Sequence, residues 1–127
     1  MEQYLIDTNI ISGYFSASFD ANMLNFLDSV IDNIPNISVI TQIELLCWKT
    51  DSEKEMKIRS FIDDSNVFEL TSDVINQCVI LRRKRNMKTP DAIIAATALC
   101  NGFILITNNK RDFENIKGLK MLIPGDL

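Results

Sequence analysis

The chain has 127 residues, 46% of them hydrophobic, and a formal net charge of −4, which is typical of a globular domain with a substantial core. It contains no histidine, which excludes Ser-His-Asp and Cys-His catalysis, the usual histidine-bearing zinc sites and ribonuclease chemistry based on paired imidazoles. The negative charge argues against a protein that coats nucleic acid indiscriminately, because phosphate binding needs clustered cations.

The sequence shows no sign of a targeting or membrane segment. Its start, MEQYLIDTN, has an acidic flank and little hydrophobicity, unlike a signal peptide. No apolar run approaches the ~18 residues that a membrane span needs. We therefore expect one cytoplasmic domain over residues 1–127, without membrane association. We also expect the three cysteines to be buried, unreactive thiols, because Cys47, Cys78 and Cys100 lie far apart in apolar helical stretches.

The first predicted element is a short apolar strand, Tyr4 to Ile6, which ends at Asp7. A helix follows from Thr8, with its apolar side chains on one face. Asp7 has two interpretations, because Asp at this position caps a helix well and is equally placed to act as a ligand at a strand end.

An amphipathic helix is predicted over residues 20–33, and a second strand over residues 37–40 follows Pro35. Thr41 to Glu44 then fits a capping box, in which the two side chains satisfy each other's backbone donors. Glu44 therefore has a purely structural interpretation. A Glu at a helix start also lies on the rim where parallel strands end, so a functional interpretation stays open.

A charged helix is predicted over residues 51–64, a strand over residues 66–70 and a further helix over residues 74–85. Thr71 is expected to cap the last of these, and Asn86 to end it in a left-handed conformation. The side chains expected to face the core from the two helices are Met56, Ile58, Phe61, Ile62, Val74, Ile75, Cys78, Val79 and Leu81.

A basic cluster ends the helix over residues 74–85. Cations at a helix C-terminus complement the helix dipole, which is a sufficient structural explanation. Because the cluster shortly precedes Asp91, its members are also candidates for contact with nucleic-acid phosphates. The cations considered for this role are Arg82, Arg83, Lys84, Arg85, Lys88, Lys110 and Arg111.

Residues 88–113, KTPDAIIAATALCNGFILITNNKRDF, are the most informative stretch. Thr89 is expected to cap a helix that begins at Pro90, which places Asp91 in the first turn. This helix is apolar to Cys100 and should be buried on most sides. Residues 103–106 then form an apolar strand without polar alternation, typical of a parallel sheet covered on both faces. Asp112 follows that strand, and a last strand is expected over residues 121–123.

Parallel α/β topology brings strand ends and helix starts to one rim of the sheet, where ligands bind. Carboxylates ~4 Å apart repel by about 4 kcal/mol at an effective dielectric of ~20, so either some are protonated or a cation lies among them. Oxygen-only ligands favour Mg²⁺ or Mn²⁺, which predicts hydrolysis of a phosphodiester by metal-activated water. The acids that this topology should gather are Asp7, Glu44, Asp91 and Asp112.

The order of these motifs resembles the PIN domain, specifically the small VapC-type toxins. The resemblance rests on DTN at 7–9, Glu44 at a helix start, PDAIIAATAL at 90–99 and TNNKRDF at 107–113, and it spans essentially the whole chain. It implies a three-layer α/β/α fold around a mostly parallel five-stranded sheet. It also implies a Mg²⁺- or Mn²⁺-dependent endoribonuclease that is inhibited by a cognate VapB-like antitoxin.

The resemblance also assigns roles to individual residues. The four acids match the family's catalytic and metal-binding residues, Thr107 its polar residue beside the metal, and Asn9 its amide at the site edge. Asn108 stands where some members carry another acid, so a second metal is expected to bind weakly or only with substrate. With the net negative charge, the resemblance predicts a homodimer bound to an antitoxin whose basic residues enter the acidic pocket.

Other functions stay open on the sequence. A receiver-like Mg²⁺-binding signalling domain has this size and fold class, but it expects paired acids after the first strand, where this chain has Asp7-Thr8-Asn9. An aspartyl-phosphate phosphatase would need a second Asp at the position of Asn9. A PIN scaffold that binds RNA or protein without cleaving it is a further alternative, against which the four intact acids argue.

Overall fold

The computed structural model describes residues 2–127, in which five short strands form one parallel sheet with the order β3-β2-β1-β4-β5. The strands are β1 Tyr4–Ile6, β2 Asn36–Ser38, β3 Asn66–Phe68, β4 Ile104–Ile106 and β5 Lys120–Leu122. The helices are α1 Thr8–Phe15, α2 Ala21–Asp32, α3 Val39–Cys47, α4 Ser52–Asp63, α5 Ser72–Lys84, α6 Thr89–Asn101 and α7 Lys110–Phe113, followed by a 3₁₀ turn at Pro124–Asp126. No helix in this part of the chain is long and apolar enough to cross a membrane.

The two faces of the sheet carry separate hydrophobic clusters, because successive strand side chains point to opposite faces. Leu5 and Leu105 belong to the cluster beneath α5 and α6. Ile6 and Ile106 belong to the cluster formed with α1, α2, α3 and α4. The predicted three-layer α/β/α fold with a parallel five-stranded sheet is therefore confirmed.

Helix α6 is the most buried helix, as its apolar sequence predicted. Every residue from Ala92 to Ala98 is buried. The helix ends at Gly102, which adopts a left-handed conformation (φ 68°) that glycine accommodates without strain. The chain then enters β4 directly, so the strand end that follows is fixed relative to the helix.

The predicted start of α3 is wrong. The strand expected over residues 37–40 ends at Ser38, and the helix begins at Val39. Ser38 caps it by accepting a hydrogen bond from the Ile40 amide (3.1 Å). The capping box of Thr41 and Glu44 is therefore also wrong, and Glu44 lies in the second turn. The β-branched pair Val39-Ile40 favours a strand locally, but Ile40 packs on the core from within the helix.

Two helix boundaries near the basic cluster also differ from the prediction. Lys88 occupies the cap position of α6, and Thr89 is its first residue rather than its cap. Asn86 is not left-handed, because within residues 2–127 Ala17 and Asn115 are the non-glycine residues with positive φ. The chain leaves α5 through Arg85 in an extended conformation instead.

Some side chains expected in the core are exposed. Met56, Ile75 and Val79 have exposed fractions of 71%, 44% and 47%, because the faces of α4 and α5 that contact the sheet are narrower than the apolar stripes of these helices. Of the cysteines, Cys78 is buried as predicted, whereas Cys47 and Cys100 are exposed.

Candidate functional site

Asp7 lies where β1 ends and α1 begins, and only 7% of it is exposed. Its Oδ1 accepts a hydrogen bond from the Thr8 amide (2.8 Å), and its Oδ2 accepts one from the Thr107 hydroxyl (2.8 Å). Asp7 therefore does occupy the cap position of α1. Both carboxylate oxygens are held in place, so the cap also fixes the direction in which this carboxylate presents its free lone pairs.

Thr107 is fully buried at the end of β4, the strand that pairs with β1. Its hydroxyl donates to Asp7 and accepts a hydrogen bond from the Asn109 amide (2.9 Å). The same side chain thus connects the first strand end to the loop that leads into α7.

Glu44 projects from the second turn of α3 and is exposed. The Thr8 hydroxyl donates to its Oε1 (2.7 Å) and lies 3.0 Å from the Thr41 hydroxyl. Sequence reasoning assigned no site role to Thr8 or Thr41. For Thr41 alone the sequence held a usable signal, because Thr41 precedes Glu44 by three residues and so shares its helix face.

Asp91 and Asp112 complete the same rim. Asp91 is partly buried in the first turn of α6, as predicted, and Asp112 is exposed in the short helix α7. They line one pocket of about 380 Å³ together with Lys88 and Arg111. The four predicted acids therefore lie at the carboxyl-terminal edge of the sheet.

The acids affect each other's ionisation. Burial raises the pKa of Asp7 above its usual value, and the charges of Asp91 and Glu44 raise it further, against the opposing hydrogen bonds from Thr107 and Thr8. Burial likewise raises the pKa of Asp91, as do the charges of Asp112 and Glu44, while Lys88 opposes them. The rim is thus a region of concentrated negative potential, which a cation would stabilise.

The donor set fits a hard divalent ion held partly through water. Among residues 2–127, no three acidic or cysteine side chains lie close enough together to hold a metal ion by themselves. Mg²⁺ coordinates oxygen at ~2.0–2.1 Å and commonly takes only one or two protein carboxylates, with water in its remaining positions. Coulombic repulsion acts over longer distances, so four acids can share a field without all being ligands.

Of the remaining predicted residues, Arg85, Lys88 and Arg111 line the pocket of Asp91 and Asp112. Asn9 and Asn108 are exposed, and Asn9 lines a pocket with Thr8 and Glu44. Two of the cations contact backbone carbonyls. Arg82 donates to Met87 O (3.1 Å), and Arg85 donates to Glu114 O (2.8 Å) and to Asp112 O (3.3 Å). Of the predicted cations, Arg85 is partly buried and the others are exposed: Arg82, Arg83, Lys84, Lys88, Lys110 and Arg111.

Comparison with known proteins gives consistent matches over the chain. A family model for the PIN domain matches residues 4–119. A toxin-antitoxin complex from Klebsiella pneumoniae contains a chain with 30% sequence identity and a TM-score of 0.79, and the match covers 96% of this chain and 98% of that one. A search of the curated proteins finds no match.

More distant structures share the fold. FitAcB from Neisseria gonorrhoeae aligns with a TM-score of 0.80 at 20% identity, over 98% of this chain and all of that chain (100%). VapBC2 from Rickettsia felis, solved with a DNA fragment from its promoter, aligns with a TM-score of 0.76 at 22% identity, over 94% of this chain and 96% of that chain.

Proposed function

The chain belongs to the PIN domain family, and on this premise we propose that it is a Mg²⁺- or Mn²⁺-dependent endoribonuclease, the toxin of a VapBC-type toxin-antitoxin system. PIN domains are generally nucleases. The observation that supports the proposal best is the acidic rim, in which the Asp7 and Asp91 carboxylates have raised pKa values because they are buried beside other acids.

Each part of the rim has a chemical role in this proposal. Asp7 and Asp91 would hold the ion, which when bound supplies activation of water and neutralisation of charge at the phosphate. Thr107 and Thr8 orient the carboxylates of Asp7 and Glu44 through the hydrogen bonds described above. Lys88 attracts RNA phosphates toward the rim. Because water rather than the 2′-oxygen attacks, the products carry 5′-phosphate and 3′-hydroxyl ends.

Purified protein tests the proposal directly. It should cleave RNA with Mg²⁺ or Mn²⁺, lose activity in EDTA and regain it when the ion is restored. Asp7→Asn and Asp91→Asn should each lower the rate by at least about 10²-fold, as expected when a group that acts in the transition state is removed. Asp63→Asn removes an exposed charge outside the rim and is the matched control. Cleavage that survives EDTA would overturn the mechanism.

We further propose a cytoplasmic protein that forms a homodimer and binds a cognate VapB-like antitoxin. The similar Klebsiella chain was solved in a toxin-antitoxin complex, and the net charge of −4 suits a partner that presents basic residues to the acidic rim. Expression of this chain alone should arrest growth, and co-expression of its antitoxin should restore it. Normal growth under expression of the folded chain alone would contradict the toxin assignment.

A further inference from the structure

A large pocket beside the acidic rim has no role in the chemistry proposed above. It lies between α1 and α3, has a volume of about 660 Å³ and shares Thr8, Asn9 and Glu44 with the rim. This volume is within the range of small-ligand sites, ~300–1,000 Å³. An occupant of the pocket would therefore lie next to the reacting phosphodiester.

The walls of the pocket combine aromatic rings with hydroxyl groups. Trp48, where α3 ends, lines the pocket and packs against the hydrophobic cluster on the same face of the sheet. Phe19 lies directly against Gly13 of α1, where any added Cβ would overlap its ring. Both rings are thus held by packing. The residues of the lining that carry hydroxyl groups are Thr8, Ser12, Ser16 and Ser18.

The charge of the pocket distinguishes it from the pocket that Asp91 and Asp112 line. Its lining contains no lysine or arginine and includes the acidic Glu44, so it does not suit a phosphate group. The pocket of Asp91 and Asp112 carries Lys88 and Arg111. A single strand that reaches both pockets would thus meet cations in one and aromatic rings with hydroxyls in the other.

We propose that this pocket is a nucleobase subsite of the ribonuclease, an inference that rests on the proposed function. Trp48 stacks on the base of a nucleotide adjacent to the cleaved bond, and Asn9 and the serine hydroxyls hydrogen-bond to the edge of that base. Aromatic stacking of this kind accepts any base and contributes roughly 5- to 150-fold in affinity.

Trp48 is the only tryptophan of the chain, so its fluorescence reports on the pocket. In the Asp7→Asn protein, a short single-stranded RNA spanning a mapped cleavage bond should quench this fluorescence saturably. The same RNA made abasic next to that bond should not. Trp48→Ala in the active chain should raise KM about tenfold with a smaller change in kcat, and Trp48→Phe should restore most of the loss.

Because Trp48 also packs on the core, a second variant separates binding from folding. Ser16 is exposed at the pocket, so Ser16→Phe fills the space without disturbing the core and should raise KM similarly. Ile43→Ala is the control, because Ile43 is an exposed residue of α3 outside the pocket.

The outcomes distinguish this inference from the function on which it rests. No cleavage of any RNA with Mg²⁺ or Mn²⁺ overturns both. The subsite alone is overturned if the protein cleaves RNA normally, RNA does not change the fluorescence of Trp48, and Trp48→Ala and Ser16→Phe keep the wild-type KM. If Trp48→Ala and Ser16→Phe weakened only the binding of antitoxin, the pocket would belong to a protein partner. That result would equally overturn the subsite.

Discussion

Asp7 has two roles with opposite effects on the stability of the folded state. As a cap it accepts hydrogen bonds from Thr8 and Thr107, which stabilise the junction of β1 and α1. As an acid, it is largely buried close to Asp91 and Glu44, and burial is the main reason that its pKa is raised. A charge that is held there at neutral pH destabilises the folded state unless a cation compensates it.

We therefore expect Asp7→Asn to stabilise the protein at pH 7 in EDTA, by roughly 0.5–2 kcal/mol, while abolishing cleavage. The Thr107 hydroxyl can accept a hydrogen bond from the new amide, so the junction stays connected. The sign of the pH dependence follows from the raised pKa. The contribution of Asp7 to the stability of the wild-type protein is fully present below its ordinary pKa of 3.8. It is lost as the pH rises through the raised pKa of the folded state.

Urea denaturation at pH 7 and near pH 4 measures this difference. The gain from Asp7→Asn should shrink as pH falls, because wild-type Asp7 becomes protonated and uncharged in the folded state. Asp63→Asn, which changes an exposed acid, should shift stability little at either pH. A variant less stable than wild type at pH 7 in EDTA would show that the hydrogen bonds of Asp7 outweigh the cost of burying its charge.

The positions of the acids were predictable from the sequence, but the hydroxyls of Thr8 and Thr41 beside Glu44 were not. Asp7 and Asp91 mark a strand end and a helix start, and parallel topology alone brings such positions to one rim. Thr8 of α1 reaches Thr41 and Glu44 of α3 through side-chain contacts between the two helices, which no local pattern specifies. Because α3 begins at Val39, Glu44 lies in its second turn, where the Thr8 hydroxyl donates to it.

At the scale of whole elements, Arg85 connects the end of α5 to α7. Its guanidinium donates to the backbone oxygens of Glu114 and Asp112, at 2.8 and 3.3 Å. Helix α7 has only four residues, so it depends on such contacts to stay in place. The sequence prediction treated Arg85 as a candidate for RNA contact or as a dipole partner. The structure adds a third role, in which Arg85 positions Asp112.

We predict that Arg85→Ala lowers kcat and weakens the apparent affinity for Mn²⁺ by about tenfold, because α7 and Asp112 lose their anchor. KM for RNA should change less, since the cations nearest to the rim remain. Arg83→Ala is the matched control, because Arg83 is an exposed arginine two residues away and its substitution removes the same charge. Cleavage titrated with Mn²⁺ at several RNA concentrations separates these effects. Equal effects of both variants on KM alone would indicate that Arg85 contacts RNA instead.

Element boundaries were predictable where side chains cap helices in the usual way and not where tertiary packing decided. The cap Thr71 has the predicted role, and α6 begins and ends close to the bounds that its Pro90 start and apolar run indicate. Val39-Ile40 has strand propensity yet is helical, because burial of Ile40 against the other helices outweighs a local preference of ~1 kcal/mol at most. The apolar stripe of α5 correctly predicted a helix. The width of the helix face that becomes buried depends on tertiary packing, which the sequence pattern does not specify.

For the whole molecule, the exposed apolar side chains of α5 point to an assembly. Ile75, Val79 and Ile80 are 44%, 47% and 45% exposed on a helix whose inner face already packs against α6 through Val74, Cys78 and Leu81. Neighbouring exposed apolar side chains commonly mark protein interfaces. We expect this outer face of α5 to lie within the proposed homodimer interface, which for a stable dimer should bury ~800 Å² on each chain.

Val79→Lys should therefore convert the dimer to a monomer in sedimentation experiments, because a charge buried without a partner strongly opposes association. Its far-UV circular dichroism should stay that of wild type, since Val79 does not pack in the core. Met56→Lys provides the control, because Met56 is a more exposed apolar residue (71%) on α4, outside this face. Dissociation by Met56→Lys but not by Val79→Lys would move the interface to α4. A dimer that withstands Val79→Lys while antitoxin binding is lost would instead assign the outer face of α5 to the antitoxin.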